Sequence, residues 1–232
     1  TELGNFLFSD KGVDPWLEYP ASLWLVHWKI ASTPSKTTSY YWLFNHFNGI
    51  QFDRGHLIRE IMNLCEDLNI SKVARTTIER DIQCLIRLYV PKTNKHGNFT
   101  EESIESPLTE LGLLQPLDKQ DRFQLRRSSK PSLPDEVFIY ALVEFWRKYT
   151  SVNTLSMEAI THEPGSPGRT FLLDEDSVAD RLYRISQISN NALSWSETAG
   201  VRQVICNADL QKLELINLLE NAYLKQTQNK AA

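Results

Sequence analysis

The chain has 232 residues, 41% of them hydrophobic, and a formal net charge of −4. That length holds one large or two small domains, and no window reaches the ~20 consecutive apolar residues of a membrane-spanning helix. A net-acidic chain is unsuited to coating nucleic acid over its whole surface, so an anionic partner must be met by a local patch.

The opening TELGNFLFSDKG echoes TELGLLQPLDKQ at 109–120. In the second copy the motif lies where a helix gives way to a hairpin. The first copy is therefore expected to be the last strand of an earlier, similar unit. DPWLEYPASLWLVHWKIA reads as an entry turn at Asp14–Pro15 followed by a buried helix opened by Pro20. Residues 1–38 are thus expected to comprise the remnant of a wing plus an entry helix.

SYYWLFNHF, 39–47, predicts a short aromatic helix capped by Ser39. In DRGHLIREIMNLCEDLNI, 53–70, Asp53 is the expected N-cap, and Leu57, Ile58, Ile61, Leu64, Cys65 and Leu68 recur at helical spacing. VARTTIERDIQCLIRLYV, 73–90, repeats that pattern: Ile78, Ile82, Leu85, Ile86 and Tyr89 form one stripe. At about 100° per residue, Thr76, Arg80, Gln83 and Arg87 project from the opposite face. Thr76 or Thr77 is the expected N-cap, and Glu79 and Asp81 near the start suit the helix dipole. Segment 71–92 carries a net charge of +3, from Lys72, Arg75, Arg80, Arg87 and Lys92 against Glu79 and Asp81.

After the polar KTNKHGNFTEES, a short helical turn ends at Gly112, and two strand-like runs, LLQPL and RFQLRR, flank a DKQD turn. Three helices followed by a hairpin is the order of a winged helix-turn-helix. In that arrangement the third helix enters the major groove and the hairpin, or wing, meets the backbone. TTIERDIQCLI also resembles the recognition helix of bacterial winged-helix regulators. The expected DNA-contacting residues are Lys72, Arg75, Thr76, Thr77, Arg80, Gln83 and Arg87, with Arg122, Arg126 and Arg127 on the wing, which Lys130 follows. Set against this is a winged helix used for protein contact, because the fold alone does not choose.

Beyond SSKPSLPDE the character changes. DEVFIYALVEFWRKY predicts a helix burying Val137, Phe138, Ala141, Leu142, Phe145 and Trp146. A Pro/Gly loop, a strand-like TFLL, a helix from DEDSVADRLYRI, strand-like ends in LSWSETAGVRQVIC and a last amphipathic helix follow. The expected architecture is mainly α with small β hairpins: a winged helix-turn-helix at 39–130 and a mostly helical C-terminal domain at 131–232.

Candidate catalytic groups are sparse. Metal-assisted strand cleavage needs two or three carboxylates converging on an ion. Asp174, Glu175 and Asp176 are consecutive, point apart and suit a helix N-terminus better. Asp14 and Glu18 flank the entry turn, His27 lies in an apolar helix and reads as a core histidine, and His46 and His56 have no metal spacing. His162 and Arg169 bracket the Gly/Pro loop, which lacks a phosphate-binding glycine pattern. Cys65, Cys84 and Cys206 are widely spaced and read as buried thiols of a cytoplasmic protein.

GVDPWLEYPASLWLVHWKIAS, YYWLFNHFNGIQFDR, TTIERDIQCLIRLYVP, SPLTELGLL and SETAGVRQV together resemble consecutive signatures of a bacterial family, the domain of unknown function numbered four thousand and seven. The resemblance spans nearly the whole chain. It implies a place in DNA phosphorothioation and phage defence, beside sulfur-transferring PAPS-reductase-like or ATP-pyrophosphatase-like enzymes. The family includes the SspB-type DNA-nicking protein, and its members normally carry a further N-terminal segment. If the nicking residues lie in that segment, the residues present here are expected to bind DNA without nicking it; if they lie here, nicking is expected to use Mg²⁺. Two functions stay open: a DNA-binding, nicking component, or a non-catalytic winged-helix module that docks the sulfur-transfer enzyme.

Overall fold

A computed structural model describes residues 1–34, 38–67, 73–91, 105–117, 121–198 and 200–231. It is mainly helical, with two small antiparallel sheets among the described residues.

The first elements are α1 (Glu2–Phe8) and α2 (Pro20–Ala31). Thr1 caps α1 by accepting from the Gly4 amide at 3.1 Å, and Leu3 and Leu7 turn inward. The strand expected over the opening residues is therefore a helix. Leu3, Phe6 and Leu7 follow a three-to-four spacing, and that period outweighs a short sequence echo. Pro20 starts α2, where its missing N–H costs nothing. Ala21, Leu23, Trp24, Leu25, His27, Trp28 and Ala31 are all buried, so α2 is enclosed on nearly every side. It packs against α3, α6 and the 3-10 turn introduced below, and this central position joins two sets of elements into one core.

The first set runs α3 (Thr38–Asn45), β1 (Gln51–Asp53), α4 (Arg54–Asp67), α5 (Arg75–Tyr89), a 3-10 turn (Pro107–Leu111), β2 (Leu114–Pro116) and β3 (Arg122–Leu125). Its strands are ordered β1-β3-β2, all antiparallel, with Phe52 opposite Phe123 and Leu114 opposite Leu125. Asp53 ends β1 and caps α4 by accepting from the His56 amide at 2.8 Å, as expected. Gly112 takes a left-handed φ of 59° after the 3-10 turn and redirects the chain into β2.

The second set runs α6 (Asp135–Tyr149), β4 (Thr154–Ser156), α7 (Met157–His162), α8 (Pro167–Thr170), α9 (Glu175–Tyr183), α10 (Ile185–Ile188), β5 (Leu193–Thr198) and β6 (Val201–Cys206), in strand order β4-β6-β5. The expected buried stripe of α6 is present. TFLL is not a strand: Thr170 ends α8, Phe171 follows its last turn, and Leu172 adopts φ 52°. A second 3-10 turn (Leu210–Lys212) leads to α11 (Leu215–Ala231), which packs on α6. Phe6 of α1 meets Tyr223 of α11 edge to face at 5.6 Å.

Candidate nucleic-acid interface

Helix α5 divides by polarity, as its periodicity requires. Ile78, Ile82, Leu85, Ile86 and Tyr89 are buried, while α3, α4 and the first 3-10 turn pack against the helix. Thr76, Thr77, Arg80 and Arg87 are exposed and Gln83 is half-buried. Thr76, Arg80, Gln83 and Arg87 advance by four, three and four residues, so they form one stripe about 16 Å long at ~1.5 Å per residue. Arg75 is also exposed, its Nε 2.9 Å from Oε1 of Glu79. Lys72 lies outside the described residues.

Several local expectations change. Ala74, not a threonine, occupies the N-cap of α5 and makes no side-chain cap bond, which leaves both hydroxyls on the exposed first turn. Ser39 does not cap α3. It lies inside that helix, buried, and its hydroxyl donates to Asp81 of α5. Asp81 is therefore turned toward α3, and the outward face of α5 keeps less negative charge than its sequence implies. Cys84 is exposed on α5, against the expectation of a buried thiol; Cys65 is half-buried and Cys206 buried.

The hairpin supplies the second group of cations. Arg122 opens β3 and Arg126 follows it, both exposed. The Arg126 amide donates to the Leu113 carbonyl at 3.0 Å and holds the hairpin exit in place. Arg54 lies 2.9 Å from Asp121 beside the strands. Arg127 behaves differently: its Nη1 donates to the carbonyls of Leu173 at 2.8 Å and Gly168 at 3.3 Å. The residue as a whole is exposed like Arg122 and Arg126, but partial desolvation of its guanidinium, more than the nearby Arg169, holds its pKa below the ordinary value. Arg127 thus fastens the hairpin to the second set, with one nitrogen already engaged. Lys130 is buried, donates to the Arg126 carbonyl at 2.7 Å, and has its pKa pushed down to about 8 by desolvation.

Four of the candidate catalytic groups, Asp14, Asp174, Arg169 and His27, are engaged within the fold. Asp14 is buried and accepts from the amides of Glu18 and Tyr19 at 2.8 and 3.0 Å. Asp174 caps α9, accepting from the Ser177 amide at 2.8 Å. Arg169 donates through Nε to the Asn45 carbonyl at 2.9 Å and through Nη2 to Asn48 Oδ1 at 3.1 Å. His27 is fully buried between Tyr89 and the Thr170 carbonyl, and burial pushes its pKa down to about 4. Among the described residues no three His, Cys, Asp or Glu side chains converge on a point where a metal ion fits.

The sequence shows α5 and its stripe because apolar periodicity is a local signal. It has no comparable signal for the Ser39–Asp81 bond, the Arg127 carbonyl contacts or the Tyr89–His27 link, which span 42, 41 to 46 and 62 residues.

Comparison with known proteins adds three findings. A family model described as a protein of unknown function, DUF4007, matches residues 1–223. An SspB crystal structure aligns with a TM-score of 0.85 and 27% identity, covering 96% of this chain and 66% of that one. A magnesium ion-bound SspB crystal structure aligns with a TM-score of 0.84 and 26% identity over the same shares. The chain thus spans just under two thirds of the length of those proteins. No curated protein matches the sequence. Among the described residues, the donor sets above do not bring together the three or more oxygen-bearing side chains that would hold a magnesium ion.

Proposed function

The chain belongs to the DUF4007 family, and on that premise we propose that it is a cytoplasmic, DNA-engaging component of a DNA phosphorothioate modification and defence system. Strand order carries the reading. A helix, strand, two helices and a hairpin, with the first strand beside the third, follows the order expected of a winged helix, and this supports reading α5 as the helix that enters the major groove. Thr76, Thr77, Arg80 and Gln83 then meet base edges, where hydroxyls, a guanidinium and an amide can discriminate between bases. Arg87, Arg122 and Arg126 meet phosphates, which position the protein without reading sequence. Arg75 contributes after exchanging Glu79 for a phosphate, and Lys72, three residues earlier in the sequence and outside the described residues, is proposed as a further cation.

The reading assigns DNA contact to these residues and derives no strand cleavage from them. Its working partner is a sulfur-transferring enzyme of the PAPS-reductase-like or ATP-pyrophosphatase-like kind, as the resemblance to SspB-type proteins implies. The test is fluorescence anisotropy of a labelled duplex over a range of salt. Salt-dependent binding that weakens in the double variant Arg80→Ala/Arg87→Ala supports the proposal. No binding, or equal binding by the variant, refutes it.

A further inference from the structure

The two sets of elements share a topology that their sequences do not announce. In each, a helix precedes a short strand, helices follow, and a hairpin closes a sheet in which the first strand pairs with the last: β1-β3-β2 and β4-β6-β5. The correspondence extends to packing. In the first set α4 packs on β1 and α5, and in the second α7 packs on β4 and α9. Helix α9 is therefore the counterpart of α5, and the β5–β6 hairpin the counterpart of the wing.

The charges of the two counterparts are opposite. Glu175, Asp176 and Asp180 are exposed on α9. Its cations are engaged: Arg181 is buried with Nη1 2.5 Å from Asp135, and Arg184 Nε lies 2.8 Å from the same carboxylate. On the hairpin, Arg202 pairs with Glu197 at 3.6 Å. Phosphates would meet a repulsive surface here.

The face is also partly apolar. Tyr183 and Val201 are 57% and 53% exposed, and Tyr183 stands edge-on to Trp195 at 5.8 Å. Where α7, the start of α9 and the hairpin tip meet, a notch of about 450 Å³ is lined in part by Glu158, His162, Glu175, Val201 and Arg202. Glu175 already lies 3.1 Å from His162 Nε2, so an incoming lysine or arginine would meet Glu158 and exchange with His162 at Glu175.

We infer that the α9–hairpin face is a docking surface for a protein segment bearing lysines or arginines beside apolar side chains, so that one architecture is used twice, once toward DNA and once toward protein. Complementary charge selects the occupant, and Tyr183 and Val201 supply the apolar contact that excludes water around it. The inference shares its reading of the topology with the DNA proposal but depends on different residues.

The probe is a labelled helical peptide with lysines on one face and leucines on the other, titrated into the full chain. The peptide should bind wild type, and a version with glutamine in place of leucine should bind more weakly. Asp176→Asn/Asp180→Asn and, independently, Tyr183→Ala should each weaken binding by about tenfold or more, with melting temperatures monitored to confirm folding. Duplex affinity should not fall in these variants. Failure of the leucine peptide to bind wild type, or equal binding by both folded variants, would overturn the inference. So would loss of duplex affinity in the Asp→Asn variant, which would make the face a DNA surface. Self-association abolished by the same variant, seen by sedimentation, would instead make the occupant a second copy. Arg80→Ala separates the two proposals: it should weaken duplex binding and leave peptide binding intact.

Discussion

Tyr89 donates its phenolic proton to Nδ1 of His27 across 2.7 Å, and so joins the last turn of α5 to the enclosed helix α2. The direction follows from the other ring nitrogen. Nε2 lies 2.8 Å from the Thr170 carbonyl, which only accepts, so Nε2 carries the hydrogen and Nδ1 is the acceptor. The neutral imidazole bridges the helix that bears the arginines and the end of α8 in the second set.

That bridge has a pH signature. His27 titrates near 6.5 when unfolded and is pushed down to about 4 in the fold by burial. Between those values the unfolded chain binds more protons, so stability falls as pH drops. The contribution is complete above the unfolded value and is lost on the way down to the folded one, by up to about 3 kcal/mol. Thermal melts between neutral and mildly acidic pH should show this slope, and His27→Gln should flatten it while lowering stability at neutral pH. An equal slope in the variant would assign the acid sensitivity to other groups.

Tyr89→Phe removes one hydroxyl and leaves Nδ1 of His27 buried without its donor. A loss of about 1–3 kcal/mol is expected in denaturant titrations. Duplex affinity of the folded variant should change little, because Tyr89 faces the core and not the stripe. A large change in affinity with unaltered stability would contradict this placement.

Arg80→Ala should do the opposite. Its side chain is exposed on the face away from the buried stripe, so the melting temperature should hold while specific duplex binding weakens by about 1–3 kcal/mol. A pronounced fall in melting temperature with unchanged affinity would identify a structural arginine.

The wing arginines should separate by role. Replacing Arg122 and Arg126 by Gln should weaken binding to all duplexes alike and flatten the salt dependence by about one to two units of slope. Arg127→Gln should act mainly on stability, because its Nη1 holds the Leu173 and Gly168 carbonyls. If Arg127→Gln alone produced the whole change in slope, the roles given to Arg127 and to the Arg122 and Arg126 pair would be reversed.

Local pattern was enough to read α2, α4, α5, α6 and the two hairpins from the residue order. Apolar side chains at steps of three and four, a capping Asp53, Pro20 at a helix start and glycines at turns act over a few residues and leave a direct trace. The same locality misled where the signal was short: a four-residue echo at the first residues was outweighed by helical burial of Leu3 and Leu7, and TFLL, apolar enough for a strand, closes α8 instead. Ser39 and the two threonines are good caps by composition, yet other residues occupy the cap of α5, and Ser39 was drawn to Asp81 by the packing of α3 on α5. The repetition of strand order, the use of Arg127 and Lys130 as internal fasteners, and the neutral His27 bridge were settled only in three dimensions. Each joins groups dozens of residues apart, and burial of charge and pairing of polar groups depend on which surfaces meet, a property that no single stretch of chain contains.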